Sequence, residues 1–573
     1  MTTRTITVAY AGGAARRGPV TMGQANMIRC ILRDDPTHIN NHAVWPVPAG
    51  TGLDAAIEAL HTLVVRHEAL RTTFPTPSDT APREQVASAE GEFTVTVLDH
   101  ELLPQEVADY AEAIARQARA GRFRLDREFP LRISFVCLGG TPVFVAMASS
   151  HAVTDGSALT VLREEWLSLL AGETLPPLTA LTPLDLAAEE ATPAGVRRAK
   201  AAVAHWERII RTGPQAMFAE PRATGTDSRQ PQLTLRSQRG SRALTLVAQR
   251  TGALPNTVLL TAWCALLAHR AGQSSCVLAV PTSNRFLPQL ARSVNTVSQD
   301  ALLCLDVGVP SFDALLSKAW GAALNAYRHS RFDALALWEM IGRVTFERGS
   351  HFARDVVFND VSTLPASLTT TAAPPGAAAA ELDLSWGPEQ VLPTRVLVFV
   401  YQTDPQLHLG MWADPALFSR QEAEDLLTGL VRLLEAAGAD DVPSTSLTEV
   451  SGIRPVERGP YWQQVDGCWT SPPAVAAVLR RVLGGLPVHV TTEGPATGGP
   501  SGTGLTAFIA TGDRRLTPAG AHAALMEALP GQPGLLAPRW YVMVQEPPAQ
   551  TRRSDAWFGQ HILMEGTGRD RQM

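Results

Sequence analysis

Ser150-His151-Ala152-Val153-Thr154-Asp155-Gly156 stands just beyond the apolar run Pro142-Val143-Phe144-Val145-Ala146-Met147-Ala148. A short, continuous apolar run of this length reads as a buried strand. It carries one imidazole into a loop, with a carboxylate four positions on. Gly156 permits a tight backbone turn, and Ser157–Ala171 then has the spacing of an amphipathic helix. Strand, loop and helix together can hold a histidine rigidly as a base while the chain reverses. His-x-x-x-Asp-Gly is a short pattern, and the rest of the chain has to give it weight.

At 573 residues the chain exceeds what one hydrophobic core organises, so two to four domains are expected. Hydrophobic residues make up 45 %, charged residues 18 %, and the formal net charge is -6. No basic block points to nucleic acid. The six cysteines (Cys30, Cys137, Cys264, Cys276, Cys304, Cys468) lack Cys-x-x-Cys spacing, and most sit in apolar runs, as reduced core thiols do. Of fourteen histidines only His38 and His42 stand at i, i+4. Pro36 and Asn40-Asn41 argue against a helix there, and no metal site is expected. Thr5-Ile6-Thr7-Val8-Ala9 is too short and polar for a secretory h-region. There is no apolar run of membrane-spanning length, so a cytoplasmic protein without membrane contact is expected.

Strands and helices alternate, which gives an α/β class. The first block, residues 1–178, holds helical stripes at Asp54–Arg66 and Pro104–Ala120, the strand before His151 and the helix after it. Residues 172–196 read as a linker. The second block, 190–440, contains helices Ala194–Arg211, Val258–Arg270, Ser311–His329, Phe332–Ile341 and Gln421–Ala437. Its strands are Val277–Val280, Asp355–Phe358, and the pair Thr394–Gln402 and Gln406–Trp412, joined by hairpin chemistry at Thr403-Asp404-Pro405. Ser362–Ala380 is Thr/Ala/Pro-rich and reads as a mobile surface loop. Beyond about 441 glycine and proline rise, and 450–573 is long enough for a small α+β domain.

Three further segments accompany the histidine loop: Pro19-Val20-Thr21-Met22-Gly23-Gln24, Arg66-His67-Glu68-Ala69-Leu70-Arg71-Thr72-Thr73-Phe74, and Pro281-Thr282-Ser283-Asn284-Arg285 with Val294-Asn295-Thr296. In this order and spacing, residues 15–440 resemble the condensation domains of nonribosomal peptide synthetases, within the chloramphenicol acetyltransferase-like acyltransferases. The resemblance implies two similar α/β lobes in a V, with a tunnel between them and His151 at its centre. Acyl donor and acceptor would arrive on the phosphopantetheine arms of carrier proteins, and no cofactor would be bound directly. The family motif is His-His-x-x-x-Asp-Gly; here Ser150 replaces its first histidine, while His151, Asp155 and Gly156 match.

A neutral imidazole, with an ordinary pKa near 6.5, can take the proton of an amine or hydroxyl attacking a thioester. By the family pattern Asp155 points away from substrate and pairs with an arginine, Arg285 first among candidates. Arg66 and Arg71 read as structural, His67 as a helix-end residue, and Asn284 and Asn295 as loop supports that cap or bridge backbone. Asp383-Leu384-Ser385-Trp386-Gly387 is similar to a packing element of CoA-dependent members. The C-terminal stretches Ala474–Leu483, Leu505–Ala510, Pro518–Leu529 and Ala537–Val544 loosely resemble the small subdomain of adenylating enzymes. The catalytic lysine of that subdomain is missing from Pro547-Pro548-Ala549-Gln550-Thr551-Arg552-Arg553.

The leading expectation is a free-standing condensation enzyme of a secondary-metabolite pathway. It joins a carrier-bound acyl thioester to a free or carrier-bound amine, forming an amide or, second in order, an ester. Its partners would be acyl or peptidyl carrier proteins and adenylation enzymes. Two alternatives stay open: an acyl-CoA-dependent N- or O-acyltransferase, and a non-catalytic module that recruits carrier proteins.

Overall fold

A computed structural model of the chain describes residues 2–75, 81–101, 106–364, 381–492, 504–532 and 534–569. The expected loop over 362–380 and the glycine-rich stretch 494–504 lie almost wholly outside these residues.

Two α/β lobes and a C-terminal extension each enclose a hydrophobic core. In the first lobe a five-stranded sheet runs in the order Thr2–Tyr10, Gly91–His100, Leu131–Leu138, Thr141–Ser149, Asn41–Pro46. Thr141–Ser149 pairs antiparallel on both sides. Interior position is why it is nearly continuously apolar rather than alternating. Gly139 and Gly140, with φ of 55° and 79°, make the two-residue turn that feeds it, a conformation that L side chains resist and hairpin twist requires. Helix Gly156–Leu170 follows and buries Leu159, Leu162 and Trp166 in the core. Trp166 packs against Trp45 with ring centroids 5.7 Å apart. His151 thus sits between a strand locked on both edges and a helix locked by its apolar face.

The second lobe carries a seven-stranded sheet in the order Gln299–Asp306, Ser275–Thr282, Val356–Asp360, Val396–Gln402, Leu407–Ala413, Arg229–Ser237, Asp383–Val391. Helix Pro255–Ala271 is buried around almost its whole circumference, as a helix without a polar face must be. The expected hairpin joins Val396–Gln402 to Leu407–Ala413, and its turn holds a cis Asp404–Pro405 bond.

The extension builds a four-stranded sheet, Val488–Thr491, Thr506–Ala510, Trp540–Val544, Ile562–Gly566, covered by helices Pro472–Val482 and Pro518–Ala528. Among the described residues its outward hydrogen bonds go to the second lobe. Arg348 donates to Asp466, Trp469 to the Gly272 carbonyl, and Arg569 to the Glu347 carbonyl. His522, fully buried, bridges the Phe346 carbonyl and the Tyr541 hydroxyl. Burial and the Arg569 charge bring its pKa down to about 4, so it is neutral.

Several expectations need correction. The linker 172–196 contains helix Pro183–Glu190, because Thr182 caps it and Pro183 fits the first helical position. A helical turn, Pro36–Ile39, does form at His38: Pro36 again starts it, and Asp35 accepts from the Thr37 N–H. His42 lies beyond it, in strand Asn41–Pro46. The helix expected at Phe332–Ile341 is Ala334–Arg348, ending only where Gly349 adopts a left-handed φ of 76°. Asp383–Gly387 belongs to an edge strand, Asp383–Val391, paired with Arg229–Ser237.

The lobes meet closely where helix Met22–Arg33 touches the second lobe. Thr21 and Gln24 form a capping box at its start. A Cβ at Gly23 would collide with the Thr296 carbonyl oxygen. Gly23→Ala should therefore lower stability by about 1–3 kcal/mol through overpacking, read as a drop in urea midpoint. An unchanged midpoint would mean that the lobes do not pack this tightly.

Candidate active site

Asp155 is the hub of the histidine loop. Its Oδ1 accepts the Ala158 N–H at 2.9 Å and so caps helix Gly156–Leu170. Its Oδ2 accepts from Arg285 Nη1 at 2.7 Å, from the Val297 and Ser298 N–H groups, and from the Ser298 hydroxyl. Burial alone would raise this carboxyl, but the Arg285 charge and hydrogen bond, with backbone N–H groups, outweigh it and hold the pKa below the ordinary range. Held by five hydrogen bonds, Asp155 is a fixed anion rather than a proton carrier.

Arg285 is bound through both terminal nitrogens, while its buried Nε has no partner among the described residues. Its Nη2 donates to the Ser293 and Asn295 carbonyls and its Nη1 also to the Ser283 carbonyl. One guanidinium thus ties the 283–298 segment of the second lobe to the histidine loop of the first. Asn284 adopts a left-handed φ of 56°, donates to the Val297 carbonyl and accepts from the Ser330 hydroxyl, bracing the same segment. Asn295 departs from expectation. Its side-chain amide is buried with no partner among the described residues, and only its carbonyl is used. Arg285 already holds that backbone, so the amide has nothing left to bridge.

Ser150 supports the loop, and Gly156 does not make the tight turn that the sequence suggested. Ser150 is buried and accepts the Ala152 N–H at 3.3 Å, which shapes the turn. Gly156 has no left-handed φ. Its small size suits the approach of Leu364 from the second lobe, whose Cδ1 would lie 2.9 Å from an added Cβ.

His151 is the member of the loop left open. Its neighbours Ser150, Ala152, Val153, Thr154 and Asp155 are buried, while His151 itself is only half-buried. The Thr296 hydroxyl lies 3.3 Å from Nδ1 of the ring. With the proton on Nδ1, facing the Thr296 oxygen, the lone pair is on Nε2. Nε2 has no partner among the described residues. Burial brings the imidazole below its ordinary 6.5, against the opposing charge of Asp155, so the ring is neutral at pH 7.

The neighbouring motif residues are structural. His67 follows helix Leu53–Arg66, and it and Arg66 both meet Glu165. Arg71 donates to the Ala14 and Ser88 carbonyls. Cys30 is not a nucleophile, since burial pushes its thiol up to about 11.

Two groups escaped the sequence reading. His38 stands three residues before Asn41, which pairs with Ser149 beside the histidine loop. Arg354 of the second lobe donates through Nε to Asp300 Oδ2 at 2.6 Å, four residues along from Thr296. The Asp35-Pro36 helix start was the available signal for the first. For the second there was none, because the pair joins positions 54 residues apart. Among the described residues no group of three His, Cys, Asp or Glu could hold a metal, and no single helix is long and apolar enough to cross a membrane.

Arg285→Ala should leave Asp155 buried and uncompensated, costing about 3–5 kcal/mol in chemical denaturation. Asp155→Asn keeps an acceptor for the helix cap and should cost less. The reverse order would remove the ion pair from its place as the principal tie.

The Condensation domain family model matches residues 20–457. Phosphinothricin tripeptide synthetase PhsC of Streptomyces viridochromogenes is 29% identical over 249 residues, 41% of this chain and 23% of that protein. The chain spans less than a quarter of the length of the first curated relatives it matches. Among solved structures, the condensation domain of the Monacolin K polyketide synthase MokA has a TM-score of 0.59 at 17% identity, covering 76% of this chain and 100% of that one. The SgcC5 protein of Streptomyces globisporus has a TM-score of 0.57 at 18% identity, covering 74% and 100%. These structures share the fold. The sequence match runs across both lobes and the loop that joins them, and the chain therefore belongs to the condensation-domain family.

Proposed function

We propose that this chain condenses a carrier-bound acyl thioester with an amine acceptor, forming an amide bond in nonribosomal peptide biosynthesis. Condensation domains are acyltransferases of this kind. The observation that carries the reading is the contrast within one loop: Asp155 is held by five hydrogen bonds, while the Nε2 of His151 has no partner among the described residues and the ring is half-buried at the seam of the lobes.

In the reaction the acceptor nitrogen attacks the thioester carbonyl. His151 Nε2 takes the proton released as the C–N bond forms and returns it to the departing sulfur as the C–S bond breaks. General-base help of this type contributes about 10²–10⁴-fold. Holding donor and acceptor together in one passage lowers the barrier further. A thioester is already activated, so no enzyme nucleophile is required. An alcohol in place of the amine would give an ester by the same proton route. Carrier proteins bearing phosphopantetheine and adenylation enzymes are the partners this chemistry asks for. The six cysteines, all free, suit a reducing cytoplasm.

The test uses a panel of acyl carrier proteins and amines, with product read by mass spectrometry. His151→Ala should lose at least about 10²-fold in turnover while its thermal midpoint holds. Equal output from that variant would leave the protein a docking role and end the catalytic reading. Transfer from acyl-CoA matching that from the carrier-bound thioester would instead assign CoA as donor. The active ring is neutral, so the native profile should carry an acid limb centred below 6.5 in addition to the amine acceptor's own deprotonation at higher pH. Absence of that lower limb would remove His151 as the base.

A further inference from the structure

Arg354 is held by one hydrogen bond. Nε donates to Asp300 Oδ2 at 2.6 Å, and neither Nη1 nor Nη2 has a partner among the described residues. The side chain is 32% exposed, and Cys30 and Arg33 of helix Met22–Arg33 in the first lobe act on it electrostatically. Its electrostatic neighbours are Asp300, Cys30, Arg33 and His38. His38 reaches the same place from the other side. It is half-buried, its ring nitrogens have no hydrogen-bond partner among the described residues, and it senses both Arg354 and His151. Backbone connections fix this grouping independently. Asn41 pairs with Ser149 just before the histidine loop, and Asp300 follows directly on the 296–298 segment that touches His151 and Asp155.

A guanidinium that only neutralised Asp300 could do so with its whole fork engaged. Here Asp300 occupies one edge and leaves the two terminal nitrogens without a partner among the described residues, on a side chain that His38 senses as it senses His151. Planar donors at fixed spacing match a carboxylate. An unused fork inside a protein is costly unless water or a ligand satisfies it.

We infer that Arg354, oriented by Asp300, binds the carboxylate of the acceptor, so that the acceptor is a free amino acid or similar small amine carrying a carboxylate. A carrier-bound aminoacyl group has its carboxyl carbon in the thioester and offers no such anion. The inference rests on the condensation reading and names the substrate class for that site. Burial holds His38 at a pKa of about 4. The ring is therefore neutral, does not compete for the anion, and presents a lone pair to the acceptor's N–H groups.

The test has two arms. In the first, acyl-S-pantetheine thioesters from acetyl to decanoyl are offered with each of the twenty L-α-amino acids beside its carboxamide, and amide product is measured. The native enzyme should favour at least one acid over its carboxamide by about tenfold or more, the range of a charge-assisted pair. Arg354→Gln should erase that preference, chiefly through KM, and Arg354→Lys should restore part of it. The double variant Asp300→Asn with Arg354→Gln removes both charges and should behave like Arg354→Gln, which guards against misfolding around an unpaired Asp300. Acylation of carboxamides or plain amines as readily as acids overturns the inference and leaves amide formation standing. In the second arm no donor is present. Phenylglyoxal modification is mapped to Arg354 by peptide mass, and amino acids should protect it where their carboxamides do not. Equal or absent protection overturns the inference even if no acceptor turns over. Protection by inorganic phosphate alone gives the fork to the phosphate of a pantetheine arm and overturns it too.

Discussion

A buried carboxylate governs this molecule. An ionised group taken out of water costs several kcal/mol unless it is paired and fully hydrogen-bonded, and Asp155 recovers that cost from both lobes at once. Its own helix supplies one N–H; the second lobe supplies a guanidinium, two N–H groups and a hydroxyl. Closing the lobes and setting the histidine loop are therefore the same event. Arg285 cannot satisfy Asp155 without bringing Thr296 to the imidazole.

Division of labour between close neighbours follows from this constraint. Asp155 and His151 both lose solvent on folding, with opposite consequences. The carboxylate finds enough donors to stay charged, and the imidazole, having few, stays neutral. Ser150 completes the division by turning its hydroxyl inward to the Ala152 N–H. The loop thus offers reactants one basic atom.

Much of this was legible in the sequence, because the deciding features are local. His151, Asp155 and the strand and helix around them lie within thirty residues, and apolar periodicity finds such units well. The pairing with Arg285 was legible only through family resemblance, since nothing local links positions 155 and 285. Strands Arg229–Ser237 and Asp383–Val391 went unread for a related reason. The second alternates only from Asp383 to Trp386, where Leu384 and Trp386 pack on the core; Gly387 and Pro388 then break the pattern, and the strand runs on because Arg229–Ser237 pairs with it. Arg354 and Asp300 belong to the same class: two ordinary charges whose meaning comes from lobe closure. The short helix at Pro36 was misread by giving proline its helix-breaking role where it had its helix-starting one.

The manner in which the extension is attached has a mechanical corollary. Helix Ala334–Arg348 passes Trp338 beneath the guanidinium of Arg29, a first-lobe residue, with 4.7 Å from Cζ to the ring centre. At its other end Phe346 and Arg348 are gripped by His522 and Asp466. Fifteen residues of helix make a strut of about 22 Å, with one foot at the junction of the lobes and the other in the extension. A load applied to the extension bears on the beam that also touches the first lobe.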